Sequence, residues 1–169
     1  LVGRRFGRET GAQLLPEDLG LLSREFKNVR TVKEATGNLE NMRRTRTVCG
    51  GDFMILSGDD ALTHTVMTDP QVQASGVISV ISNVAPAAVS QMVGLLLNKD
   101  KAEAEKRMRV LAPLFNLVTV TTTEKTPFGE VVCRARNPLA LKTLMALLGM
   151  PGGGCRQPLG KMTAKGLDT

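Results

Sequence analysis

Lys33 is the residue of this sequence whose position most calls for a chemical explanation. In the stretch NVRTVKEATGNLE, Val29 to Val32 read as the start of a buried strand, Lys33 stands where the strand should end, and Glu34 and Gly37 follow. Side chains alternate along a strand, so Val29, Thr31 and Lys33 share one face and Arg30 and Val32 the other. At the rim of a barrel, an amine in this place can attack a carbonyl and form a Schiff base. A free lysine titrates at about 10.4, so roughly one amine in a few thousand is neutral at pH 7, and burial enlarges that fraction. The alternative is a solvated strand-end lysine. One lysine alone does not decide between them.

The other candidates carry less. Asp59 and Asp60 follow Gly58 in SGDD and invite a metal reading, but adjacent side chains usually point apart and no further carboxylate is tied to them. Helix capping and loop hydrogen bonding suit them better. Gly58 itself stands at a strand end, where the missing Cβ lets a ligand approach the backbone. Cys49, Cys133 and Cys155 lack metal-ligand spacing and His64 is the single histidine, so neither a metal site nor a disulfide framework is expected. GGGCRQPLGKMT is only superficially a phosphate loop: Met162 follows Gly160-Lys161, and Cys155 falls where the upstream glycine belongs.

The elements that must position Lys33 alternate. Pro16-Glu17-Asp18 has the composition of a first helical turn, and Leu19, Leu22 and Phe26 follow at helical spacing. A strand over 29–33 is followed by a helix capped by Asn38, running to about Val48 and stopped by Gly50-Gly51. FMILSG (53–58) and GVISVISN (76–83) are further strands, and a helix runs from about Pro86 to Leu97. The strands are apolar without strict alternation, which marks a parallel sheet buried between helices. In such folds chemistry gathers where strands end. From Asp100 the character changes to an amphipathic charged helix, a threonine-rich stretch over 119–136 with a Thr-Pro-Phe-Gly turn, and a helix from Pro138 to Gly149. The chain therefore divides near residue 98, into 1–98 with strand-helix units and 99–169 as a helical region.

Composition bounds the function classes. The 169 residues, 42% hydrophobic and 22% charged, suit a globular chain rather than a disordered one. No apolar run approaches the roughly 18 residues of a membrane span, and LVGRRFGRETG lacks the apolar core of a signal peptide. A cytoplasmic protein without a membrane partner is expected. The net charge of +6 raises nucleic acid as a partner. Yet Arg43, Arg44 and Arg46 are expected to form the solvated face of a helix, and with no tyrosine or tryptophan a stacking platform is poorly supplied. No nucleic-acid partner is expected.

VKEATGNLE, ILSGDDAL, GVISVISNVAP and NPLALK resemble, in this order and with similar spacing, the later part of the dihydrodipicolinate synthase (4-hydroxy-tetrahydrodipicolinate synthase) family. The resemblance runs from about residue 7 to the C-terminus. It implies an α/β fold: the C-terminal portion of a (β/α)8 TIM barrel followed by a small helical domain, in subunits that assemble as a homotetramer. It implies a class I, Schiff-base pyruvate lyase without a cofactor, condensing pyruvate with L-aspartate 4-semialdehyde in lysine (diaminopimelate) biosynthesis. Lys33 matches the imine-forming lysine. Gly58 and Ile78 match strand-end positions lining the pyruvate pocket. Gly7-Arg8-Glu9-Thr10-Gly11 resembles a Gly-Arg-Thr-Gly loop, with Arg8 the match to an arginine that binds a substrate carboxylate and Glu9 an insertion.

The same resemblance sets limits. The family is roughly twice this long, and the part before the Gly-Arg-Thr-Gly loop supplies a threonine and tyrosines for proton relay; this chain has no tyrosine. The isolated chain is therefore expected to be inactive. The segment TTTEKTPFGEVVCRAR looks like an insertion. Two alternatives remain: another pyruvate-dependent aldolase of the superfamily, and a non-catalytic gene fragment.

Overall fold

The computed structural model describes residues 2–3 and 14–169. Its centre is a parallel sheet of four strands in sequence order: β1 (Val2–Gly3), β2 (Thr31–Glu34), β3 (Met54–Ser57) and β4 (Gly76–Val77). Val2 pairs with Lys33, Lys33 with Leu56, and Leu56 with Gly76. Helices α1 (Pro16–Glu25), α2 (Leu39–Cys49), α3 (Thr63–Thr68) and α4 (Pro86–Leu97) follow the strands in turn.

The two faces of the sheet differ, as the alternation requires. Val32 and Ile55 are fully buried and join Leu19 of α1, Met42 of α2, Val66 of α3, Val72 and Ala74 in one core. Each of the larger ones, from Val to Met, contributes about 1.5–3 kcal/mol by leaving water. That face is the helix side. Lys33 and Leu56 point to the opposite, inner face, where Met54 is 46% exposed.

Local chemistry sets the helix ends. Pro16 opens α1, and the Asp18 carboxylate accepts the Leu15 N–H at 2.9 Å. Asn38 Oδ1 accepts from the N–H groups of Glu40 and Asn41 at 3.0 and 3.2 Å, capping α2.

The strand expected over 76–83 is two residues long. Beyond Ile78, the Asp60 carboxylate accepts from Ser79 Oγ, from the Val80 N–H at 2.9 Å and from the Ile81 N–H at 3.4 Å. Amides held this way cannot continue the ladder, and the chain turns into a 3-10 turn over Ile81–Asn83.

Helix α5 (Lys101–Asn116), capped by Asp100, packs on α4. The division expected near residue 98 falls between these helices, which share a core of Ile81, Met92, Ala104, Leu111, Phe115 and Leu141. The region after it is not wholly helical. The threonine-rich stretch forms an antiparallel hairpin, β5 (Thr119–Thr126) and β6 (Gly129–Arg136), ahead of α6 (Leu139–Leu147) and the short α7 (Ala164–Leu167). β-branched threonine and valine favour extended backbone, and Pro127-Phe128 supplies the turn. No helix among the described residues is long and apolar enough to cross a membrane.

Candidate active site at the ends of the strands

Lys33 is held in place by the turn that follows it. The Glu34 side chain, on the helix side of the sheet and 5% exposed, accepts the Thr36 N–H at 2.7 Å. Thr36 Oγ1 accepts the Asn38 N–H at 3.1 Å, and Asn38 caps α2. Gly37 has φ +71°, a backbone state that costs glycine little. The sequence KEATGN is thus a chain of side-chain-to-backbone bonds that fixes the path from strand to helix. Lys33 is half-buried on the inner face, and its amine has no hydrogen bond or ion pair with another described residue.

Gly58 lies against it. The Gly58 N–H donates to the Glu34 carbonyl at 2.7 Å, continuing the ladder past β3. A Cβ at position 58 would stand 2.7 Å from Ala35 Cβ, 2.9 Å from the Glu34 carbonyl oxygen and 3.1 Å from Lys33 Cε. Glycine is therefore required by the neighbouring strand end, whereas the sequence suggested only room for a ligand. Ile78 follows Gly76 on the same face; its N–H donates to the Ser57 carbonyl at 2.8 Å, and its side chain is 42% exposed. Lys33, Gly58 and Ile78 thus lie at successive strand ends on one face. Arg8 lies outside the described residues.

Asp59 and Asp60 act as loop acceptors. Asp59 Oδ1 takes the N–H groups of Ala61 and Leu62, while its carbonyl takes the hydroxyls of Ser57 and Thr63 at 2.8 and 2.9 Å. Asp60 was not foreseen as the clamp that holds the turn beside Ile78. Nothing local in the sequence signals this, because its partners lie about twenty residues on. Thr36 was also missed, although its place two residues before the cap Asn38 is a usable signal for a side-chain-stabilised turn. Among the described residues no group of acidic, cysteine or histidine side chains could hold a metal ion.

The arginine cluster lies on the outer side, beside a groove of about 740 Å³ that does not include Lys33. Arg43 pairs with Asp69 at 2.7 Å and Arg44 with Glu17. Arg46 is not part of a solvated face: half-buried, it donates to the carbonyls of Val72, Gly50, Gly51, Phe53 and Gln73. The Arg43 guanidinium, by its hydrogen bond, holds the Asp69 carboxyl below its ordinary range.

The sequence model of the dihydrodipicolinate synthetase family matches residues 5–169. The chain belongs to this family. Similar members include 4-hydroxy-tetrahydrodipicolinate synthases of Sulfurihydrogenibium sp. (38% identical over 83% of this chain and 42% of that protein) and Nitratidesulfovibrio vulgaris (37% over 89% and 46%). Among solved structures, dihydrodipicolinate synthase from Aquifex aeolicus superposes with a TM-score of 0.80 at 29% identity, covering 96% of this chain and 50% of that one. The 4-hydroxy-tetrahydrodipicolinate synthase of Methylacidiphilum fumariolicum SolV gives 0.78 at 31%, covering 94% and 47%. The chain thus spans about half the length of the dihydrodipicolinate synthetase family members it matches. The family fold is the TIM barrel, and the four parallel strands are a portion of it.

Proposed function

We propose that the protein carrying this chain is a class I Schiff-base pyruvate lyase that condenses pyruvate with L-aspartate 4-semialdehyde to 4-hydroxy-tetrahydrodipicolinate. One observation carries the proposal beyond family membership. Lys33, half-buried, stands at a strand end on the inner face, with its Cε against a glycine that leaves no side chain beside it. In this reading the amine adds to the pyruvate ketone and water leaves, giving a protonated imine. Loss of a methyl proton gives an enamine, whose carbon attacks the aldehyde, with the iminium nitrogen as electron sink. Gly58 and Ile78 border the pyruvate, and Arg8 contributes to binding a carboxylate of the second substrate. The reading places the enzyme in the cytoplasm as a homo-oligomer, a tetramer like its family, and routes no step through a metal or cofactor.

The isolated chain is proposed to be inactive. Met54 and Ile78 on the inner face are 46% and 42% exposed, surface that a closed barrel would cover, and the chain has no tyrosine to relay protons.

The test is borohydride trapping on the complete protein with labelled pyruvate, followed by peptide mapping. Label on Lys33, and its loss in Lys33→Arg, is expected. Label on Lys142 or Lys161, or undiminished trapping in Lys33→Arg, refutes the assignment. Turnover with sugar-acid aldehydes but not with aspartate semialdehyde would favour the other aldolase reading.

A further inference from the structure

The hairpin β5–β6 has one covered edge and one open edge. Its strands join through Pro127-Phe128 with Thr126 opposite Gly129. In an antiparallel ladder bonded and non-bonded pairs alternate, so Glu130, Val132, Arg134 and Arg136 turn their backbone N–H and C=O groups outward from β6. Thr121, Thr123 and Lys125 do the same from β5. There the C-terminal segment intervenes: Lys165 Nζ donates to the Thr123 carbonyl at 2.9 Å, and Thr163 Oγ1 donates to Glu124 at 2.7 Å. Among the described residues no hydrogen bond reaches the outward groups of β6, although residues 159–162 lie beside residues 133–135, and Val131 and Val132 are 46% and 57% exposed. Glu130, Arg134 and Arg136 make no ion pair with a described residue. An open edge is a template for another strand, and its charged residues decide which strand can pair with it.

The sequence of β6 is complementary to itself. Only outward-facing residues can bond across the new seam, so a second β6 running antiparallel can take few registers. With Cys133 on the two-fold axis, every outward residue of one copy meets an outward residue of the other: Glu130 faces Arg136, and Val132 faces Arg134. Opposite charges then meet at both ends of the seam, on the face that carries Val132 and Arg134. On the other face Val131, Cys133 and Ala135 meet Ala135, Cys133 and Val131. Shifting the register one way sets Arg134 against Arg134, like charges directly opposed. Shifting it the other way sets Glu130 against Arg134 and Val132 against Val132, but leaves Arg136 beyond the end of the partner strand, so one fewer outward residue per copy is paired. We propose that β6 docks on the β6 of a second copy of this chain, as an isologous antiparallel pair centred on Cys133.

The register makes a distance prediction. Cys133 pairs with its counterpart at a non-bonded site, with Cα atoms about 4.5 Å apart, within reach of a disulfide. The complete protein, with Cys49→Ser and Cys155→Ser, is oxidised mildly with copper phenanthroline and mapped by mass spectrometry. A Cys133–Cys133 linked dimer is expected. Moving the thiol, with Cys133→Ser and Val132→Cys, is expected to abolish the link, because position 132 faces 134. In parallel, Val132→Pro removes an outward N–H and spares the bonds between β5 and β6, since Val132 sits opposite Thr123 at a non-bonded pair. Sedimentation should show its self-association weakened at least about tenfold. Glu130→Arg should weaken it by about tenfold, and adding Arg136→Glu should restore it. Absence of the Cys133 link, equal linking through Val132→Cys, or unchanged association of Val132→Pro overturns the proposal. None of these readouts depends on the catalytic assignment.

Discussion

Replacing Gly58 by alanine tests whether the packing beside Lys33 is as tight as its geometry indicates. Carbon atoms in good contact sit about 3.5–4.0 Å apart. The added methyl would stand 2.7 Å from Ala35 Cβ and 2.9 Å from the Glu34 carbonyl oxygen. The overlap with Ala35 is therefore about 1 Å, and neither neighbour is a flexible side-chain end that can swing away. Overpacking of this kind costs about 1–3 kcal/mol. Shifting β3 away from β2 also stretches the bond from the Gly58 N–H to the Glu34 carbonyl, now 2.7 Å, for about 1 kcal/mol more. Against these stands about 0.4–1 kcal/mol from stiffening the unfolded chain. The net expectation is about 1–3 kcal/mol of destabilisation, read by urea unfolding of the complete protein. Lys33 Cε would stand 3.1 Å from the new methyl, so pyruvate trapping should slow as well. Adding Ala35→Gly removes the closest contact but leaves the Glu34 oxygen, so stability should return in part. Wild-type stability and trapping rate in Gly58→Ala would refute the close-packing explanation.

Arg46→Met should destabilise the protein by about 2–3 kcal/mol, because a charged donor to several carbonyls around Gly50–Phe53 and Val72–Gln73 is lost; a change below about 0.5 kcal/mol would show those carbonyls to be satisfied by water. Asp69→Asn should cost about 1 kcal/mol at neutral pH, because it keeps the acceptor for the Gln71 N–H and loses the charge facing Arg43. The folded carboxyl is held below its ordinary value, chiefly by the Arg43 hydrogen bond, so its stabilisation is complete above the unfolded value of about 3.9 and disappears as pH falls through the lower folded value. Unfolding curves of the wild type and variant should therefore converge in acid; a constant gap down to low pH would refute the charge-based account.

The inner-face placement of Lys33 was legible because strand alternation is local: once Val32 is assigned to the buried side, Lys33 must face the other way. The Asn38 cap and the Pro16 start were readable for the same reason, since their bonds span two or three residues. The early end of β4 was not, because Asp60, about twenty residues upstream, takes the amides that GVISVISN would have offered to a ladder. Nor was the role of Arg46, which a helical pattern places on a surface but whose carbonyl partners belong to two separate loops.

The sequence by itself determined the alternation of strands and helices from Pro16 to Leu97, the residue types at each strand end there, and a family pattern spread along nearly the whole chain. Periodicity, caps and turns act between near neighbours, so they survive in a linear reading. Only the tertiary structure decided that Gly58 is required by Ala35 and Glu34, that β4 stops at Val77, and that the threonine-rich segment closes on itself as a hairpin with one edge held by Lys165 and the other making no hydrogen bond to another described residue. Each of these depends on which distant groups compete for the same hydrogen bond or the same few ångströms of space, and that competition exists only once the chain is folded.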